Sequence, residues 1–168
     1  MRSARRVVDY LVVVVLIMAL VYTGGYLGVF ESDGAVEVAD GDSLRMDGRK
    51  VRLHGIDAPE LDQSCQLANG TSYRCGREAK RFLGKLIAGQ DVKCTLIDVD
   101  RYDRDVAICR AGDMELNAAM VLNGWALAYR HHSGNYIAQE KQARHKRKGI
   151  WRGRFENPRK WRNKHQQR

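Results

Sequence analysis

Residues 11–30 carry no charge, and the run is almost wholly apolar as far as Tyr22. A helix of that length rises about 30 Å, the thickness of a hydrocarbon core. It has no polar stripe to turn toward water, which argues against a surface or core helix. Beyond residue 35 the pattern breaks into short alternating and periodic stretches. Val36-Glu37-Val38 alternates as a strand does. Residues 43–46 and 50–53, joined across Asp47-Gly48, read as a hairpin with a tight Asp-Gly turn. Residues 77–88 place Ala79, Phe82, Leu83, Leu86 and Ile87 at helical spacing ahead of Gly89, a helix stop. Residues 92–97 and 106–109 predict a second hairpin. Residues 116–123 predict a helix stopped at Gly124, residues 125–129 a further strand, and residues 136–148 a charged helix ending at Gly149. Strands, a helix, more strands and then helices is an α+β order, and a five-stranded barrel with about three helices fits it.

Length and charge sharpen this plan. With 168 residues the chain has room for one domain, and two prolines exclude a proline-rich or collagen-like protein. The expected division is a basic stub with a transmembrane helix over 1–30, a linker over 31–35, the folded domain over 36–151 and a basic tail over 152–168. Arg2, Arg5 and Arg6 ahead of the apolar run should stay in the cytoplasm and leave the domain outside, at a bacterial inner membrane facing the periplasm or cell exterior. An uncleaved anchor is favoured over secretion after signal-peptide cleavage, because Thr23-Gly24-Gly25 is a poor cleavage site. The net charge of +9 is uneven: residues 31–140 hold 14 basic against 18 acidic residues, and residues 141–168 hold 12 against one. The tail therefore suits a polyanion, either a nucleic-acid backbone or an anionic lipid surface, with a merely solvated tail as the alternative. The acidic middle suits a cation.

Cys65, Cys75, Cys94 and Cys109 include no Cys-x-x-Cys pair, which argues against zinc. Four cysteines allow three pairings. Cys94 and Cys109 flank the second hairpin at equal distances from its centre, which leaves Cys65 with Cys75; four free thiols are the alternative. Two disulfides would match an oxidising compartment.

The candidate chemistry lies in Asp40-Gly41-Asp42-Ser43 and in Arg52-Leu53-His54-Gly55-Ile56-Asp57-Ala58-Pro59-Glu60. Asp42, Asp57 and Glu60 are hard oxygen donors near a proline turn, without the spacing of an EF-hand, so a metal site must be assembled from separate segments. Arg52 and Arg104 are candidate phosphate clamps, since a guanidinium forks two donors onto phosphate oxygens. Each piece alone is as well explained by a turn or a salt bridge. His54, His131, His132, His145 and His165 read as surface residues, because the carboxylates and arginines already suffice.

Taken in order, Asp40-Gly41-Asp42-Ser43, Val51-Arg52-Leu53 through Glu60, Gly76-x-Glu78-Ala79, Asp100-Arg101-Tyr102-x-Arg104, Leu116-Asn117 through Gly124 and Gly149-Ile150-Trp151 resemble the thermonuclease (staphylococcal-nuclease-like) family over residues 36–151. The resemblance implies an OB-fold barrel and a Ca²⁺-dependent endonuclease that cuts DNA and RNA with low sequence preference and leaves 3′-phosphates. It assigns the metal to Asp42, Asp57 and the Ala58 carbonyl. It makes Glu60 the general base and Arg52 and Arg104 the phosphate-binding arginines. Arg101, Tyr102 and Tyr129 line the nucleotide pocket, Tyr129 after a one-residue gap. Ser43 stands where the family has Thr, and Asp103 where it has Gly, beside the Arg104 clamp. The rival reading is a membrane-tethered OB-fold module that binds nucleic acid without cutting it. A monomer with no protein partner is expected.

Overall fold

A computed structural model describes residues 12–16, 18, 28–32, 35–130 and 134–165. Residues 12–16 and 18 are helical and exposed. Among the described residues no helix is long and apolar enough to cross a membrane. Most of the expected anchor, and His131 and His132, lie outside the described residues.

The architecture is α+β. β1 (Val29–Glu31), β2 (Glu37–Val38), β3 (Ser43–Met46), β4 (Arg49–Leu53), β8 (Val92–Val99), β9 (Asp105–Ala111) and β10 (Met114–Glu115) form one sheet in the order β1-β8-β9-β4-β3-β2, with β10 beside β9. Its two edges, β1 and β2, are neighbours in sequence, so the sheet curls back on itself, consistent with an OB-fold. β4 and β9 pair parallel, with Arg52 opposite Val106. Two small sheets join distant segments: β5 (Ile56–Asp57) with β11 (Leu127–Ala128), and β6 (Cys65–Leu67) with β7 (Ser72–Tyr73) and β12 (Gly153–Arg154). The helices are α1 (Cys75–Ile87), α2 (Leu116–Leu122), α3 (Ile137–His145) and α4 (Pro158–His165), with a 3₁₀ turn at Gly149–Arg152.

The expectation of five strands is corrected to twelve among the described residues. Eight of these are two or three residues long; β2 and β11 lie within expected strands, and the other six are too short to show the alternation from which a strand is read. The sheet also begins at Val29, ahead of the boundary expected at residue 36, and β12 and α4 arise in the segment read as a basic tail.

The local reasons are plain. Asp47 and Gly48 both take positive φ, 49° and 79°, the turn that lets two right-twisted strands pair directly. Leu44, Met46, Val51 and Leu53 then face one core, which Leu83 of α1 and Leu116 and Met120 of α2 complete. Cys94 and Cys109 sit opposite each other on β8 and β9 and are bonded, as are Cys65 and Cys75. A second, smaller core of Cys65, Cys75, Leu127 and Ile150, flanked by Tyr73, Trp151 and Phe155, lies beneath β12.

Candidate active site

The β3–β4 hairpin and β5 bring three carboxylates together. Asp42 precedes β3, and its carbonyl accepts from the Leu53 amide at 2.8 Å, which fixes it above the end of β4. Arg52 on β4 bridges Asp42 and Asp57: Nη1 lies 3.0 Å from Asp42 Oδ1 and Nη2 3.4 Å from Asp57 Oδ1. The Ala58 amide donates to Asp42 Oδ2 at 2.9 Å, and the Ser43 hydroxyl to Asp42 Oδ1 at 3.1 Å. Asp40 Oδ1 accepts from the Asp42 amide at 2.9 Å. Asp42 and Asp57 are buried, at 4% and 3% exposure. Two buried carboxylates this close are stable only with cations beside them.

The electrostatics follow. Burial, reinforced by the Asp42 charge, pushes Asp40 up to about 6. Asp57 is raised for the same two reasons, against the pull of Arg162 and Arg52. The charge of Asp42 holds Arg52 above its ordinary value despite burial.

Glu60 stands at the rim, with its side chain one-third exposed. Its backbone is pinned on two sides. Its carbonyl accepts from the Gln63 amide at 2.8 Å, and its amide donates to Gln63 Oε1 at 3.2 Å. The start of α1 also presses against it: a Cβ on Gly76 would lie 1.7 Å from the Glu60 carbonyl oxygen. Any larger residue at 76 would have to push Glu60 aside.

Of the expected site residues, Asp42, Arg52, Asp57, Ala58 and Glu60 come together at this end of the barrel. Arg104 is turned elsewhere. Its Nε and Nη2 grip Asp100 Oδ2 at 2.8 and 2.6 Å, and its guanidinium lies 5.4 Å from the Tyr102 ring centre. Arg101 donates to the Tyr102 hydroxyl at 2.8 Å, so Arg101, Tyr102 and Arg104 form one cluster at the β8–β9 turn. Burial would raise Asp100, but the Arg104 side chain and the Tyr102 and Arg104 amides outweigh it and hold Asp100 below its ordinary value. Asp103 occupies the left-handed region at φ 57° and is exposed, and the ion pair of Arg104 is with Asp100. Tyr129 is half-buried just after β11, its amide donating to Gly55 O at 2.8 Å.

One site residue has no counterpart in the sequence reading. Arg162 of α4 places Nη1 2.6 Å from Glu60 Oε1 and Nη2 2.8 Å from Asp57 Oδ1. Burial works against its charge, but the hydrogen bonds and charges of Glu60 and Asp57 prevail and raise its pKa. Charge spacing along the tail gives no hint of this contact. Asn157-Pro158 does announce a helix: Asn157 Oδ1 caps the Arg159 amide at 3.0 Å, and Pro158 fills the first helical position.

Among the described residues no three His, Cys, Asp or Glu side chains are arranged to hold a metal by themselves. A hard cation would rest on Asp42, Asp57 and the Ala58 carbonyl, completed by water. The donor set fits one. Asp40, Asp42, Asp57 and Glu60 exceed Arg52 and Arg162 in charge, and Arg162 already stands on Asp57 and Glu60 as a cation.

Residues 50–153 match the family described as staphylococcal nuclease homologue. The chain is 34% identical over 145 residues to the micrococcal nuclease of Shigella flexneri, covering 76% of this chain and 78% of that protein. It is 33% identical over 127 residues to the succinoglycan biosynthesis protein ExoI of Rhizobium meliloti (strain 1021), covering 74% of this chain and 66% of that one. An uncharacterized endonuclease of Haemophilus influenzae is 31% identical over 123 residues, 69% of this chain and 64% of that one. The chain thus spans just under two thirds of the length of two of these relatives and more of the third. With a family match over most of the barrel and the carboxylates and Arg52 assembled at one end of it, the chain belongs to the staphylococcal nuclease family of phosphodiester hydrolases.

Proposed function

We propose that this protein is a Ca²⁺-dependent endonuclease of low sequence preference that hydrolyses DNA and RNA and leaves 3′-phosphates. The observation that carries the reading is Arg52 held between the buried Asp42 and Asp57, with Glu60 at the open rim beside them. Calcium bound to Asp42, Asp57 and the Ala58 carbonyl would supply Lewis-acid polarisation of a phosphate oxygen. Glu60 takes the proton of the attacking water. Arg52 neutralises charge that grows on the phosphate as the bond to water forms. Arg104 joins it once it lets go of Asp100, and Arg101, Tyr102 and Tyr129 receive the sugar and base. The two disulfides support a domain working in an oxidising compartment, tethered through its N-terminal segment. It acts as a monomer.

The test is cleavage of single-stranded DNA, duplex DNA and RNA by the full chain with Ca²⁺, Mg²⁺ or chelator. Cleavage should need Ca²⁺. Glu60→Gln should lower kcat by several orders of magnitude while leaving substrate binding nearly intact, and Arg52→Ala should abolish turnover. Wild-type turnover in Glu60→Gln removes Glu60 from the role of base. The pairing of Arg104 with Asp100 favours a second reading, a module that binds without cutting. Salt-sensitive binding with no cleavage in any metal would establish that one.

A further inference from the structure

The tail after residue 152 is built as a strap. Its root is fixed at three points. β12 adds to β6, with Gly153 opposite Leu67 and Arg154 opposite Gln66, and β6 starts at the Cys65–Cys75 disulfide. Trp151 and Phe155 meet edge to face with ring centres 5.0 Å apart, over the small core. Gln63, fully buried, donates Nε2 to the Glu156 carbonyl at 2.6 Å while its Oε1 holds the Glu60 amide. One side chain thus ties the root of the strap to the backbone of the residue assigned as base. From that root α4 carries Arg162 onto the site.

The position Arg162 takes is not neutral toward the chemistry. Its two prongs occupy Glu60 Oε1 and Asp57 Oδ1, and Arg52 already lies against that same Asp57 oxygen. The guanidinium covers Glu60 Oε1 at 2.6 Å and ties that carboxylate to Asp57, so this oxygen is withheld from an incoming water. A divalent cation approaching Asp57 meets two guanidiniums. Arg52 and Arg162 are close enough for the charge of each to act on the other, so this closed arrangement carries a like-charge cost that only the carboxylates offset.

We propose that α4 is an autoinhibitory strap whose Arg162 guanidinium and the catalytic cation are mutually exclusive partners of Asp57. The inference rests on the Ca²⁺-dependent reading above. In the closed state Arg162 substitutes for the cation and holds Glu60 idle. In the open state Arg162 leaves, the cation sits on Asp42 and Asp57, and Glu60 is free. The apparent metal affinity is then the intrinsic affinity reduced by the fraction of molecules that are open.

Calorimetric Ca²⁺ binding to the full-length protein without substrate tests this, apart from activity. Arg162→Ala should bind Ca²⁺ about tenfold more tightly than wild type. Arg154→Ala removes an equal charge from the exposed root of the strap and should stay within about twofold of wild type. Adding Asp57→Asn to Arg162→Ala should abolish binding. Thermal melts verify that each variant is folded. Equal or weaker affinity in Arg162→Ala overturns the strap and leaves the calcium reading standing. Binding by neither wild type nor Arg162→Ala, or binding that survives Asp57→Asn, overturns both.

Discussion

Asp40 lies close enough to Asp42 to accept a hydrogen bond from its amide, and burial, reinforced by the Asp42 charge, pushes it up to about 6 from its ordinary 3.8. Between those two values the folded protein keeps a proton that the unfolded chain has released. Stability from this group is therefore lost as pH rises from about 4 to about 6, and the loss is complete above that. Asp40→Asn keeps the acceptor oxygen and removes the titration. Urea midpoints at pH 4.5 and 7.5 should show wild type losing on the order of 2 kcal/mol more than the variant between the two conditions. The residues of this cluster were legible in the sequence because they come from one hairpin and the strand after it, so their order along the chain already brings them together. Arg162 was not, since 102 residues separate it from Glu60 and nothing local marks a long-range ion pair. The partner of Arg104 was closer to hand: Asp100 lies one residue before Arg101, and a carboxylate four positions ahead of an arginine across a tight turn is well placed to grip it.

At the scale of elements, the longer pieces were readable, and of the short strands β2 and β11 fall within expected ones. α1, β3, β4, β8 and β9 each bury a periodic apolar face, and that periodicity is what a sequence displays. β5, β6, β7 and β12, which the sequence does not announce, are held by pairing with other segments rather than by their own pattern. The junction of α2 with the sheet depends on one side chain. Asn117, fully buried, accepts from the Cys109 amide at 3.0 Å and donates to the His54 and Ala107 carbonyls at 2.9 and 3.2 Å. It ties α2 to β9 and to the turn that leads into β5. Asn117→Ala would take the acceptor from the buried Cys109 amide, while the Ala107 carbonyl keeps the His54 amide at 2.8 Å, at a cost of about 1–3 kcal/mol in urea unfolding. A loss under about 0.5 kcal/mol would show that water takes over these bonds.

Across the whole molecule, charge is divided by position in the chain: a mildly acidic body and a strongly basic end. On α4, Arg159, Lys160 and Lys164 are exposed while Arg162 points to the carboxylates. The outer face is therefore available to a phosphate backbone even while the inner face is occupied. Replacing Arg159, Lys160 and Lys164 together with alanine should flatten the plot of log Kd against log salt for duplex DNA by about 2–3, close to one unit for each phosphate no longer neutralised. An unchanged slope would place the polyanion on another surface. The division of charge was readable from the sequence; that its last stretch folds back over the barrel was not, because the residue that seats it, Gln63, lies 93 positions before Glu156. At the other end of the chain, β1 pairs with β8 from Val29 to Glu31, taking in the last residues of the uncharged run. β1 forms the outer edge of the large sheet on that side, with Val29, Phe30 and Glu31 opposite Thr95, Cys94 and Lys93. Without those three residues β8 would present a bare row of amides and carbonyls, an open seam onto which a second copy could zip, so this short strand guards the barrel against clumping.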